Sequence, residues 1–216
     1  MLDVHPPHKP THSWWDFFVH LFTITIGLLI ALSLEGCVEW KHHRNLVHEA
    51  EMSLREEIKA NSEQHIAGAI DSLYKQQETL KQDISVLNYI IENKKAPKDS
   101  SLNISFSMHN LSDVSWKTAQ TTTALSYMPY KQVQEYADIY TTQEKFNLAE
   151  QQAARDAIIS LAPFANGRKD AADPTGGQAV EARNSIEILQ GQLLLVDALI
   201  KELDSDYKKF LASHPE

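Results

Sequence analysis

Apolar residues are spread along this chain in two ways: one unbroken block near the start, then a spacing of threes and fours that continues to the end. The block, FFVHLFTITIGLLIALSL, runs from Phe17 to Leu34 and has His20 as its one ionisable member. As a helix its 18 residues rise about 27 Å, which matches the hydrocarbon thickness of a bilayer. Trp14 and Trp15 before it and Trp40 after it lie roughly 38 Å apart along the axis, at the depth of the two headgroup layers. Lys41, His42, His43 and Arg44 then close the far side. A buried core helix would keep its polar residues on one solvent face, so the block is expected to be a transmembrane helix over 14–40, preceded by a flexible tail over 1–13.

On a helical wheel, His20, Thr23, Gly27, Ala31 and Glu35 fall within about 120° of one another. Gly27 and Ala31 form a small-xxx-small pair that admits a second helix, and His20 and Glu35 need partners near the membrane ends. The stripe is therefore expected to pack in the membrane, against a second copy or another membrane subunit. The competing expectation is that His20 and Glu35 snorkel toward the headgroups.

Two processing routes compete with a retained anchor. Leu34, Glu35, Gly36 and Cys37 resemble the lipobox of bacterial lipoproteins, with Glu35 in a slot that normally holds a small neutral residue. A cleaved signal peptide fits less well, because Asp16 and two tryptophans stand where Lys or Arg belongs. The intact mass decides: a chain beginning at Cys37 with added acyl mass would establish lipidation. As for sidedness, Lys9 is the one Lys or Arg of the tail, whereas Lys41, Arg44, Arg55 and Lys59 follow the span, a bias toward a cytoplasmic C-terminal part. A signal anchor with a translocated domain stands as the alternative.

Beyond the span, no proline interrupts the chain from Glu39 to Pro97. Ile66, Ile70, Leu73, Gln77, Leu80, Ile84, Leu87 and Ile91 alternate steps of four and three, the seam of a coiled-coil-like packed helix. This predicts a stalk or bundle helix over 41–96, with Gly68 as its weak point. Pro97 and a Ser/Asn cluster make 97–113 a connector, in which Leu102, Ile104, Phe106 and Met108 alternate as a short extended segment. Ser112 or Asp113 caps a short helix carrying Trp116, Ala119, Thr123 and Leu125, which Pro129 ends or bends. Tyr130 to Leu161 reads as a long helix whose apolar positions Val133, Tyr136, Tyr140, Ile158 and Leu161 flank a polar middle. Pro163 to Gly177 is a loop. Ile186, Leu189, Leu193, Val196, Ile200, Leu203, Tyr207 and Phe210 then mark a last helix able to pack on more than one neighbour. The expected fold is all-α: the transmembrane helix, then an antiparallel bundle of three long helices plus one short, the last three occupying 114–216.

Composition sharpens this. Seven glycines and eight prolines in 216 residues leave few turns, which nearly excludes a many-stranded sandwich or barrel. A net charge of −9 argues against nucleic acid as a partner, and one cysteine excludes an internal disulfide framework. There is no Gly-rich phosphate loop, nucleophile elbow or metalloprotease helix, so an enzyme is not expected, and no cofactor. The histidine groups His5, His8, His12 and His42, His43, His48 lack the fixed Cys or carboxylate spacing of zinc sites and are expected to be interfacial or solvated. Glu49, Glu51, Glu56 and Glu57 read as solvated helix surface.

The aromatic group Trp116, Tyr127, Tyr130, Tyr136, Tyr140 and Phe146 is expected mainly as core, with Trp116, Tyr136 and Tyr140 as the alternative lining of a small-ligand pocket.

The stretch ITIGLLIALSLEG with VEWKHHRNLVHEAE, and SWKTAQTTTALSYMPYKQVQEYADIYTTQEKF, resemble uncharacterised bacterial single-pass membrane proteins with a short N-terminal tail, one span and a helical soluble domain. The resemblance covers about a quarter of the chain. It implies a bacterial plasma (inner) membrane setting and carries no activity. Together these readings anticipate a scaffold or accessory subunit whose partners are the lipid bilayer and either a homo-oligomer or other membrane subunits. The alternative is a ligand-binding sensory module that signals through a partner.

Overall fold

The computed structural model describes residues 14–162 and 176–215. The expected tail 1–13, with His5, His8 and His12, and residues 163–175 of the expected loop fall outside them, while Gly176 and Gly177, expected in that loop, open the last helix. All regular structure among the described residues is helical: α1 (Trp14–Ala60), a π-helical segment (Asn61–Ile66), α2 (Ala67–Asn93), α3 (Val114–Thr121), a 3-10 turn (Ala124–Tyr127), α4 (Tyr130–Leu161) and α5 (Gly176–Ser213). Four helices pack together. The chain divides into two compact units, with the boundary between His48 and Glu49.

In the first unit every residue from Phe17 to His42 is exposed. One helix here is long and apolar enough to cross a membrane, and no residue of its most apolar stretch is buried. Its hydroxyls are satisfied within the helix: Thr23 Oγ1 donates to the Val19 carbonyl at 2.8 Å, Thr25 to Leu21 at 2.8 Å and Ser33 to Leu29 at 2.7 Å. That pairing lets a polar side chain sit in a medium that offers no partner.

In the second unit the core runs along the first long helix at Leu54, Ile58, Asn61, Ile66, Ala69, Leu73, Gln76, Leu80, Asp83, Leu87 and Ile90. The steps are three or four except for a step of five across the π segment. A π turn takes up one additional residue, which keeps the inward face continuous on both sides of it. The irregularity therefore lies ahead of Gly68, through which the helix continues. The expected seam is corrected at alternate positions: Ile70, Gln77, Ile84 and Ile91 are half-buried flanks, and Ala69, Gln76, Asp83 and Ile90 take the centre.

Lys94, at φ 54°, ends α2 in a left-handed conformation with its N–H on the Ile90 carbonyl. The connector then travels back along the bundle, as the contacts Asn103 to Asp83, Ser112 to Asn61 and Ser115 to Glu57 record. Leu102, Ile104 and Phe106 are half-buried on alternate positions, but the phase then shifts: Met108 is exposed while His109 and Leu111 turn inward.

Because the connector makes the return trip, α4 runs with the first long helix rather than against it. Gln132 meets Glu51, and Tyr140 meets Glu57. α5 runs opposite to both neighbours, with Leu193 beside Gln77, Tyr207 beside Asn61 and His214 beside Arg55. All eight expected seam residues of α5 are buried.

Pro129 stands at the N-cap of α4, closing the preceding turn and starting the helix at Tyr130. Burial along α4 is uneven, and its polar middle is the buried part: Thr142, Gln143, Phe146, Glu150, Ala153 and Asp156 are buried, whereas Ile158 is 69% exposed.

Candidate functional site

The stripe expected to pack in the membrane, His20, Thr23, Gly27, Ala31 and Glu35, lies on α1 with every member exposed. A Cβ built on Gly27 meets nothing within 4 Å, so this chain gives no internal reason for glycine there. Arg44 rests over the Trp40 ring at 5.4 Å, holding a cation beside an aromatic residue at the end of the apolar block.

The second unit holds a polar junction centred on Glu57. Although the sequence places this carboxyl group in a run of solvent-facing acids, it is only 8% exposed. Its Oε1 accepts the Tyr140 hydroxyl at 2.7 Å. Its Oε2 accepts the Ser112 hydroxyl at 2.6 Å and the Ser115 N–H at 2.9 Å. The last contact caps α3 from another helix: Asp113 at the N-cap makes no side-chain cap bond, and Glu57 satisfies one of the first orphan donors instead.

One turn on, Asn61 uses both ends of its amide on Ser112, its Nδ2 donating to the carbonyl at 2.8 Å and its Oδ1 accepting the N–H at 2.9 Å. Tyr207 donates to Gln143 Oε1 at 2.6 Å, and Gln143 Nε2 donates to the Ser112 carbonyl at 2.9 Å. The first long helix, the connector, α3, α4 and α5 are thus joined through side chains that the hydrophobic pattern classes as polar.

The phenols here stay protonated donors. Burial pushes the Tyr140 hydroxyl far above its ordinary value, with the hydrogen bond to Glu57 adding to the rise. Burial raises Tyr207 likewise, against the bond from Asn61. Tyr136 is pushed up to about 12, by burial first and then by the Glu51 charge.

Outside this junction α3 and α4 border a groove of about 650 Å³ that includes Trp116, Gln120, Tyr140, Thr141, Glu144 and Asn147. Trp116 and Tyr140 are stacked, with ring centroids 5.1 Å apart and planes 6° apart. Two of the three residues expected around a pocket are thereby brought together. Tyr136 is not: it turns into the core against Phe210, at 5.2 Å. Of the other aromatics, Phe146 is core, whereas Tyr127 and Tyr130 are exposed. The groove's ion pair, Lys117 to Asp113 at 2.7 Å, is internal to it.

Two more buried acids mark the return path of the connector. Glu150 accepts the His109 N–H at 3.1 and 3.2 Å and faces His109 Nδ1 at 3.0 Å. Burial raises its pKa, against the lowering effect of His109. Asp83 accepts the Asn103 N–H at 3.0 Å through Oδ1, while its buried Oδ2 has no donor. Burial raises Asp83 as well, against the Asn103 bond.

An acid whose folded pKa is raised holds more protons folded than unfolded between the two values, so its burial is least unfavourable at low pH. Asp83→Asn is therefore expected to stabilise the fold near neutrality. The gain should shrink as the pH falls toward the ordinary carboxyl value of 3.8, a trend that denaturant melts at several pH values would check.

Among the described residues no three His, Cys, Asp or Glu side chains converge to hold a metal, and Cys37 is exposed with a free thiol. No protein-family model, curated protein or solved structure matches this chain, so a functional assignment rests on its own residues and their geometry.

Proposed function

We propose that this chain is a single-pass membrane protein of the bacterial plasma membrane whose helical bundle is tethered to the bilayer by residues 14–40. In this reading it is a non-enzymatic scaffold or accessory subunit. One observation carries the reading: the most apolar stretch of the chain buries none of its residues, whereas α2, α4 and α5 turn their apolar faces inward. An uncovered surface of that size marks a membrane or protein contact, and internally bonded hydroxyls suit lipid. The stripe through Gly27 and Ala31 is the proposed contact with a second copy or another membrane subunit. Gly27→Ile should abolish self-association in a membrane two-hybrid assay, and an unchanged signal removes Gly27 from the interface.

The groove over Trp116 and Tyr140 favours a second reading, a sensory module that holds a small ligand and signals through a partner. Its volume lies within the range of ligand pockets. Under this reading a small-molecule screen finds saturable thermal stabilisation that Trp116→Ala removes. No stabilisation across a broad library favours the scaffold.

A further inference from the structure

Under the connector, where α2, α4 and α5 come together, lies a cavity of about 10 Å³, close to the room one water molecule needs. Apolar side chains such as Leu73, Phe106 and Phe146 make most of its wall, and Gln76, Ser107, His109 and Glu150 are its polar members. Gln76 is 7% exposed. Its Nε2 donates back to Ser72 Oγ at 3.2 Å, while Oε1 is a buried acceptor that no protein donor reaches. Such an acceptor loses its hydration on folding and recovers nothing. Glu150, which also lines the cavity, accepts the His109 N–H and faces His109 Nδ1, and a carboxyl group has lone pairs for one more donor.

We infer that this cavity binds a single ordered water molecule, which donates one hydrogen to Gln76 Oε1 and the other to the Glu150 carboxyl group. Water is the ligand that fits on two counts. A calcium or magnesium ion takes at least six oxygen ligands, and Gln76, Ser107 and Glu150 offer four side-chain oxygens at most among apolar walls. An organic ligand is excluded by the volume. The bound water would complete a relay from Gln76 on α2 through Glu150 on α4 to His109 of the connector.

The test is a crystal structure of the full-length chain at a resolution that places waters. A single peak within about 3.2 Å of both Gln76 Oε1 and a Glu150 oxygen is expected. In Gln76→Met, which keeps the volume and removes the acceptor, the peak should vanish while the His109 contacts to Glu150 stay. Three results overturn the inference: no density between the two side chains, a Gln76 amide turned to donate directly to Glu150, or a peak with six oxygen neighbours at about 2.0–2.6 Å, which would be an ion. In solution, magnetisation transfer from a long-lived water to the His109 amide, present in the native chain and lost in Gln76→Met, reads the same site; its absence from the native chain counts against it.

Discussion

Replacing Ile26 and Leu29 together by arginine is expected to move the full-length protein from the membrane pellet to the supernatant after ultracentrifugation. The block from Phe17 to Leu34 contains twelve Phe, Leu, Ile or Val residues, each worth about 0.3–0.6 kcal/mol of insertion at the helix centre, or roughly 4–7 kcal/mol together. Each central arginine costs about 2.5–3.5 kcal/mol on the same scale, so two of them cancel the driving force while leaving the second unit intact. Arginine at Ile158, which is apolar and more exposed than either but lies on α4, should leave the protein in the pellet. If the native chain itself stays in the supernatant without detergent, the membrane assignment fails, and the scaffold reading goes with it.

The second large effect is expected at Glu57. Glu57→Leu removes the acceptor of three donors at once: the Tyr140 hydroxyl, the Ser112 hydroxyl and the Ser115 N–H. Ser112 is exposed enough to turn to water, but Tyr140 is 4% exposed and its hydroxyl has nowhere to go. One stranded buried donor costs about 1–3 kcal/mol, and loss of the α3 cap about another 1 kcal/mol. The sum, about 2–4 kcal/mol, should lower the melting temperature of a unit this size by roughly 4–16 °C. Tyr140→Phe leaves Glu57 its two other donors and should cost only about 1 kcal/mol. In the double variant the losses should not add, because both changes break the same bond. Denaturant melts of the full-length chain in mild detergent give all three values. Additive losses would mean that Tyr140 and Glu57 are not coupled.

The places where the pattern of the chain misled share a cause. Periodicity sees apolar side chains, so it drew the α2 seam through Ile70, Ile84 and Ile91 and missed Gln76 and Asp83, which are buried because the connector lays its backbone against that face. It left Glu57 with the solvated acids for the same reason. A weak signal did exist: Glu57 and Asn61 lie three and seven residues after Leu54, in phase with the inward stripe. Which part of α4 is buried was not legible, because the small alanines and amides of its polar middle pack beneath α5 and the connector, and single-residue hydrophobicity gives them little weight. The direction of α4 was also illegible, since nothing local tells a turn-like connector from one that travels the length of the bundle before the next helix begins.

By itself the sequence determined what is set within one element. Helix after helix, the absence of strands among the described residues, the apolar block with its aromatic ends and the full inward face of α5 all follow from local spacing and from the scarcity of glycine and proline. The tertiary structure decided which polar groups lose water. A carboxyl group or an amide is indifferent to its own helix, and becomes a core residue only when a donor from elsewhere, such as Tyr140 for Glu57 or Asn103 for Asp83, arrives opposite it.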